Sequence, residues 1–162
     1  MIDTAKVTGR RTLRFNSLDD ILAEAERLAA APRVRAMGNW TLPQAIGHLA
    51  RSLDISIDGA KFRVVWYIRL IGPLLKKRIL TKPMPAGFRL KGEAAATLLP
   101  ESAASLTEAL AHLKRATVRI KQEPHRAPHA FFGKLSREEW DRFHARHAEM
   151  HLSFFVPEDA GG

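Results

Sequence analysis

The sequence predicts an all-α fold, a four-helix bundle with an additional helical segment and long loops. Three observations lead there. Apolar residues recur at the i, i+3, i+4 spacing of a helix in four separate stretches. Three of those stretches open on Ser or Thr followed three residues later by Gln or Glu, the capping-box pattern in which each side chain satisfies the other residue's backbone N–H. No run alternates convincingly with period two, and only RTLRF near the start reads as one extended piece. The length of 162 residues suits one domain with its own core, over residues 1–156, followed by a disordered tail at 157–162.

The first helix is expected over residues 18–31. Ser17 caps it, Asp19 and Asp20 place negative charge at its N-terminal end, and Leu18, Ile21, Leu22, Ala25 and Leu28 form its stripe. Pro32 and Gly38 mark the loop that follows. Thr41 and Gln44 then box the second helix. Pro43 is tolerated there because the first turn has no intrahelical N–H bond to lose. Leu42, Ile46, Leu49, Leu53 and Ile57 are its stripe, and Gly59 its stop.

Residues 61–81 are apolar with basic ends. Arg69 interrupts the apolar run, which is too short to span a bilayer, and Gly72 with Pro73 should bend or split the helix. A third bundle element or a capping hairpin is preferred over a helix lying on a membrane surface. Residues 82–101 read as a long loop broken by Pro83, Pro85, Gly87, Gly92 and Pro100, either a lid over a cavity or a plain excursion. Ser105 and Glu108 box the next helix, with Leu106, Ala109, Leu110, Leu113, Ala116 or Thr117, and Ile120 as its stripe. Ser136 and Glu139 box the last, which is expected to run through Trp140, Phe143, His147, Met150 and Phe154 and to end before Pro157.

Composition narrows the function. With no cysteine there is no disulfide framework, no thiolate-bound zinc and no cysteine nucleophile. The start lacks the apolar run of a secretory signal, so a cytoplasmic protein is expected. A net charge of +9 permits nucleic acid, an anionic membrane or an acidic ligand as partner. Basic residues occur along the whole chain, with one dense stretch at Lys76, Lys77 and Arg78, and a solvated basic surface is the preferred reading.

The histidines carry the chemistry. His147 and His151 stand four residues apart on the last helix, one turn from each other and on its apolar face. Two imidazoles turned inward need partners for their nitrogens, and one divalent metal ion supplies both. His48, within the second helix beside Ala45 and Leu49, is the best third ligand, since bundle cores build metal sites from facing helices. Three protein nitrogens leave positions open for water or substrate. The HExxH zinc-protease pattern is absent. His144 is open between a fourth ligand, a supporting group behind the ligands and a solvated side chain, while His112, His125 and His129 show no pairing. Glu149 points away from the ligand face by helical geometry, so it is not taken as a base, and the proton-shuttling residue stays unassigned.

The segments GNWTLPQAIGHLARSLDISIDG and FFGKLSREEWDRFHARHAEMHLSFF resemble the DinB-like superfamily, and more closely a branch of it catalogued as a domain of unknown function. The resemblance covers nearly the whole chain and is most specific around His48 and in the FFGKLSREEW…HAEMH segment. It implies a four-helix bundle whose metal triad is one histidine from the second helix and two from the last, which fall on His48, His147 and His151. It further implies a divalent cofactor such as zinc, nickel or iron, and an activity among metal-dependent thiol transferases, isomerases or hydrolases. With no cysteine of its own, the chain would draw a thiol from a low-molecular-weight cosubstrate, or act on a small acidic substrate. Two rivals stand beside this reading. One is a non-catalytic binding module that keeps the bundle. The other is a nucleic-acid or anionic-membrane binder using Lys76, Lys77 and Arg78, with Arg89 and Lys91; it ranks last for want of a base-reading motif. Trp66, Tyr67, Phe88, Phe131 and Phe132 are read as core in preference to a ligand pocket, and the helix at 62–80 offers a face for a homodimer.

Overall fold

The computed structural model describes residues 1–62, 66–88, 92–98 and 105–158. The chain is mostly helical, with one small sheet. In order come a 3-10 turn at Thr4–Lys6, α1 (Leu18–Ala30), β1 (Arg33–Ala36), α2 (Leu42–Asp58), α3 (Trp66–Thr81), α4 (Gly92–Leu98), α5 (Leu106–Gln122), α6 (Arg137–Leu152) and β2 (Phe155–Glu158).

The capping chemistry read from the sequence is realised. Ser17, Thr41, Ser105 and Ser136 each accept from the backbone N–H of the third helical residue, and Asp20, Gln44, Glu108 and Glu139 return the bond to the cap. Each such cap is worth about 1 kcal/mol, and together they determine where the four main helices start. Gly59 closes α2 at φ +83°, a conformation that glycine adopts without strain.

α1, α2, α5 and α6 enclose one core. Ile21, Ala25 and Leu28 of α1 meet Ile46, Leu49 and Leu53 of α2, Leu113, Ala116 and Ile120 of α5, and Ala148 and Leu152 of α6. Alanines are frequent at these contacts, which lets the helices approach closely, and each large aliphatic side chain buried there contributes roughly 1.5–3 kcal/mol. The segment before α1 forms no strand. Residues 11–15 are instead strapped to α6: Arg11 N–H donates to the Ser153 carbonyl (3.1 Å), Phe15 N–H donates to Glu149 Oε1 (2.6 Å), and Arg146 Nη2 donates to both the Phe15 carbonyl and Glu149. Glu149 and Arg146 are thus a buried ion pair whose hydrogen bonds satisfy a passing backbone. Glu149 is engaged away from the histidines, as helical geometry anticipates.

Four expectations are corrected. The stretch at 82–101 is not all loop, because GEAAATL forms α4, with alanines favouring the helix and Glu93 in its first turn. α3 runs as one helix through Gly72 and Pro73, so it is not split there. Gly72 serves close packing: a Cβ there would clash with the Phe131 carbonyl oxygen. α6 ends at Leu152, before Phe154, and Pro157 and Glu158 belong to a strand instead of a loose tail. Finally, β1 and β2 pair antiparallel, Val34 opposite Pro157 and Ala36 opposite Phe155. Two strands of four residues are too short to show an alternation, and proline is tolerated in so narrow a ribbon, which is all edge. Buried Phe155 anchors the ribbon to the core, and Glu158 pairs with Arg35 at 2.7 Å.

Candidate metal centre

α2 and α6 pack against each other, and each contributes to one cluster. His48 lies six residues past the start of α2, on its buried side; His147 and His151 lie one turn apart on α6. The structure brings the three together. His48 Nε2 is 3.1 Å from His147 Nε2, and His151 Nε2 is 3.0 Å from the same atom. One ligand nitrogen from each ring lies within 4.8 Å of the others, with no carboxylate in the group.

The tautomers matter here. His48 Nδ1 stands 2.6 Å from the Leu98 carbonyl, which can only accept, so Nδ1 carries the proton and Nε2 presents a lone pair. His147 Nδ1 makes a long contact (3.4 Å) with Ser52 Oγ, again with Nε2 turned to the centre. Burial holds all three rings neutral: it pushes His48 down to about 4, helped by Arg51 and opposed by the Leu98 bond, and pushes His147 and His151 well below the ordinary histidine range. Neutral rings facing one another in this way cannot satisfy both short contacts with single ring protons. A cation at the centre would satisfy all three lone pairs at once, so the donor set fits a divalent ion with imidazole preference.

The surroundings orient the rings. Trp40 stacks on His151 with centroids 4.8 Å apart and planes 7° from parallel, and it also meets His48 at 4.9 Å. Phe143 stacks on His147 at 5.4 Å. Arg51 reaches the Thr97 carbonyl of α4 at 3.4 Å, next to the carbonyl that holds His48. His147 and His151 are half-buried while His48 is buried.

The remaining histidines separate from this group. His144 is buried, which removes the solvated alternative, and stacks on Trp140 at 5.3 Å; its Nε2 has no hydrogen-bond partner among the described residues. It lies outside the group of three that could hold an ion. His129 Nδ1 accepts from the Phe131 and Phe132 backbone N–H groups at 3.1 and 3.2 Å, organising the turn before α6. His112 does pair, with Asp54 at 2.7 Å on the bundle surface. Of the aromatic residues considered for a pocket, Phe88 is exposed, while Phe131 and Phe132 pack around His129; the side chains of Trp66 and Tyr67 lie outside the described residues, as do Arg89 and Lys91. Sequence reasoning missed Trp40, Ser52 and Leu98. Ser52 is one turn from His48 and was within reach of the same spacing argument. A backbone carbonyl such as that of Leu98 leaves no trace in a sequence.

Fold and site together define a helical-bundle protein whose α2 and α6 converge three histidine nitrogens. Residues 7–158 match the family described as Protein of unknown function (DUF1569), and the chain belongs to that family. No curated protein and no solved structure matches the chain.

Proposed function

We propose that this is a metal-binding protein of DinB-like type, with His48, His147 and His151 as ligands, which activates a thiol cosubstrate or water for transfer or hydrolysis. The observation that carries this reading is the convergence of three neutral Nε2 atoms with no proton arrangement of their own to reconcile them. The ion, when bound, supplies the Lewis acidity that ionises a thiol or water near neutral pH. The chain's own residues do the rest. Leu98 and Ser52 hold the rings with Nε2 inward, the outer-shell role that commonly tunes metal affinity. Trp40 and Phe143 wall the cluster and limit water access. With three neutral ligands, no carboxylate and Arg51 close by, the centre favours an anionic incoming group, a thiolate or a small carboxylate. The absence of cysteine means that any thiol comes from outside the chain.

The test is elemental analysis of protein purified without chelator or histidine tag, beside His147→Ala. Near-stoichiometric zinc, nickel or iron that disappears in the variant supports the reading and identifies the metal with which to screen thiol cosubstrates. Wild-type protein that takes up none of these ions on reconstitution would sink it and leave a binding module that keeps the bundle.

A further inference from the structure

The charge of this protein is concentrated in one stretch. Between Asp58 and Glu93 the chain carries nine basic residues and no acidic one, while the rest carries seventeen of each, so the whole formal excess of +9 lies there. α3 is the long helix of that stretch. Its inward face is spoken for: Gly72 sits against Phe131, Lys76 pairs with Glu139 at 2.7 Å, and Leu80 is buried. Its outward face is not. Ile71, Leu74 and Leu75 are 50%, 80% and 47% exposed, and exposed Lys77, Arg78 and Lys82 follow in the next turns. Helical geometry places Leu74, Arg78 and Lys82 along one line, opposite Gly72, Lys76 and Leu80. Lys77, Arg78 and Lys82 make no ion pair among the described residues. Arg63, Arg69, Arg89 and Lys91 enter this account through their charge alone.

A face that joins exposed leucine and isoleucine to cations with no ion pair among the described residues asks for a partner that is apolar below and anionic above. A second copy would bring the same cations together with no acid between them. A nucleic acid would answer the charge but set Leu74 and Ile71 against phosphates. We propose that the outward face of α3 docks the protein peripherally on an anionic lipid bilayer. Leu74, Ile71 and Leu75 enter the headgroup boundary, and Lys77, Arg78 and Lys82 meet lipid phosphates. At 16 residues α3 is too short to cross, so the contact is with one surface. This is compatible with α3 being a bundle element, since its inward face packs on α6.

The experiment is flotation of the full chain with phosphatidylcholine vesicles and with vesicles in which part of the lipid is phosphatidylglycerol. Binding is expected to the second alone and to weaken with salt. At about fivefold per neutralised cation, the combined variant Lys77→Gln, Arg78→Gln, Lys82→Gln should lose roughly a hundredfold in partitioning, and Leu74→Asn roughly tenfold. All four side chains are exposed, and circular dichroism checks that the fold is kept. No flotation with anionic vesicles at low salt overturns the proposal, as does flotation that both variants leave unchanged. Binding of duplex DNA without vesicle binding assigns the face to nucleic acid. A dimer broken by Leu74→Asn, without vesicle binding, assigns it to a second copy.

Discussion

Two groups of buried and half-buried histidines lie along α6, and they differ in what their nitrogens face. His48, His147 and His151 point their Nε2 atoms at one another, at 3.1 and 3.0 Å. His129 and His144 sit one shell away among Trp140, Phe132 and Phe143, stacked on rings, with His129 satisfied by backbone N–H groups. Burial depresses both groups: His129 to about 4, His144 to about 3 and the trio likewise downward. A depressed pKa therefore does not distinguish a candidate ligand from a structural histidine in this protein. The distinction lies in three Nε2 atoms that converge within hydrogen-bond distance, where single ring protons cannot serve both contacts at once.

Substitutions should separate the two groups. The largest effect is expected from His147→Ala, which removes the central nitrogen. Metal affinity measured by competition with a chromophoric chelator should fall by more than about a hundredfold, beyond what outer-shell changes cause. The stabilisation expected of wild type with metal, about 2.7 kcal/mol at a hundredfold excess over Kd, should be absent from the variant. His144→Ala should do the reverse, leaving metal affinity within a few-fold while lowering unfolding free energy by about 3 kcal/mol, because it opens a cavity beneath Trp140. Equal loss of metal in both variants would erase the distinction.

Acid sharpens it further. His129 and His144 are neutral when folded and take up protons when unfolded below the ordinary value of 6.5. The unfolded state then binds more protons, so stability falls as pH drops from about 6.5 toward 4, by up to about 1.4 kcal/mol per pH unit for each of the two, and without metal the trio adds to the same slope. Urea titrations of metal-free protein across that range measure the slope. His144→Phe should flatten it by one proton, since the ring no longer titrates and its partnerless Nε2 is gone. The smallest effect is expected at Ser52→Ala, about tenfold in metal affinity with unchanged stability, if the long contact to His147 orients the ring.

Much of this was legible beforehand, and the exceptions share a cause. The cap residues and stripes of α1, α2, α5 and α6 depend on neighbours three and four residues apart, so the sequence carries them. The pairing of His147 with His151 is also local, and His48 was reachable because its helix has a single histidine on its apolar side. By contrast α4 was hidden in a stretch rich in proline and glycine, and the β1–β2 ribbon joins residues more than a hundred positions apart. Ser153, expected inside the last helix, is its C-cap, and its carbonyl accepts from Arg11 N–H at the far end of the chain.

The sequence by itself determined where four helices begin, which face of each is apolar, and that three histidines lie on faces turned inward. These follow from periodicity and capping, which act within a turn or two. Only the tertiary structure decided that the three Nε2 atoms meet, that Leu98 and Ser52 hold two of the rings, and that His144 stands aside. Those outcomes depend on how α2, α4 and α6 pack, and packing is set by the summed shape of many distant side chains, which no local pattern encodes.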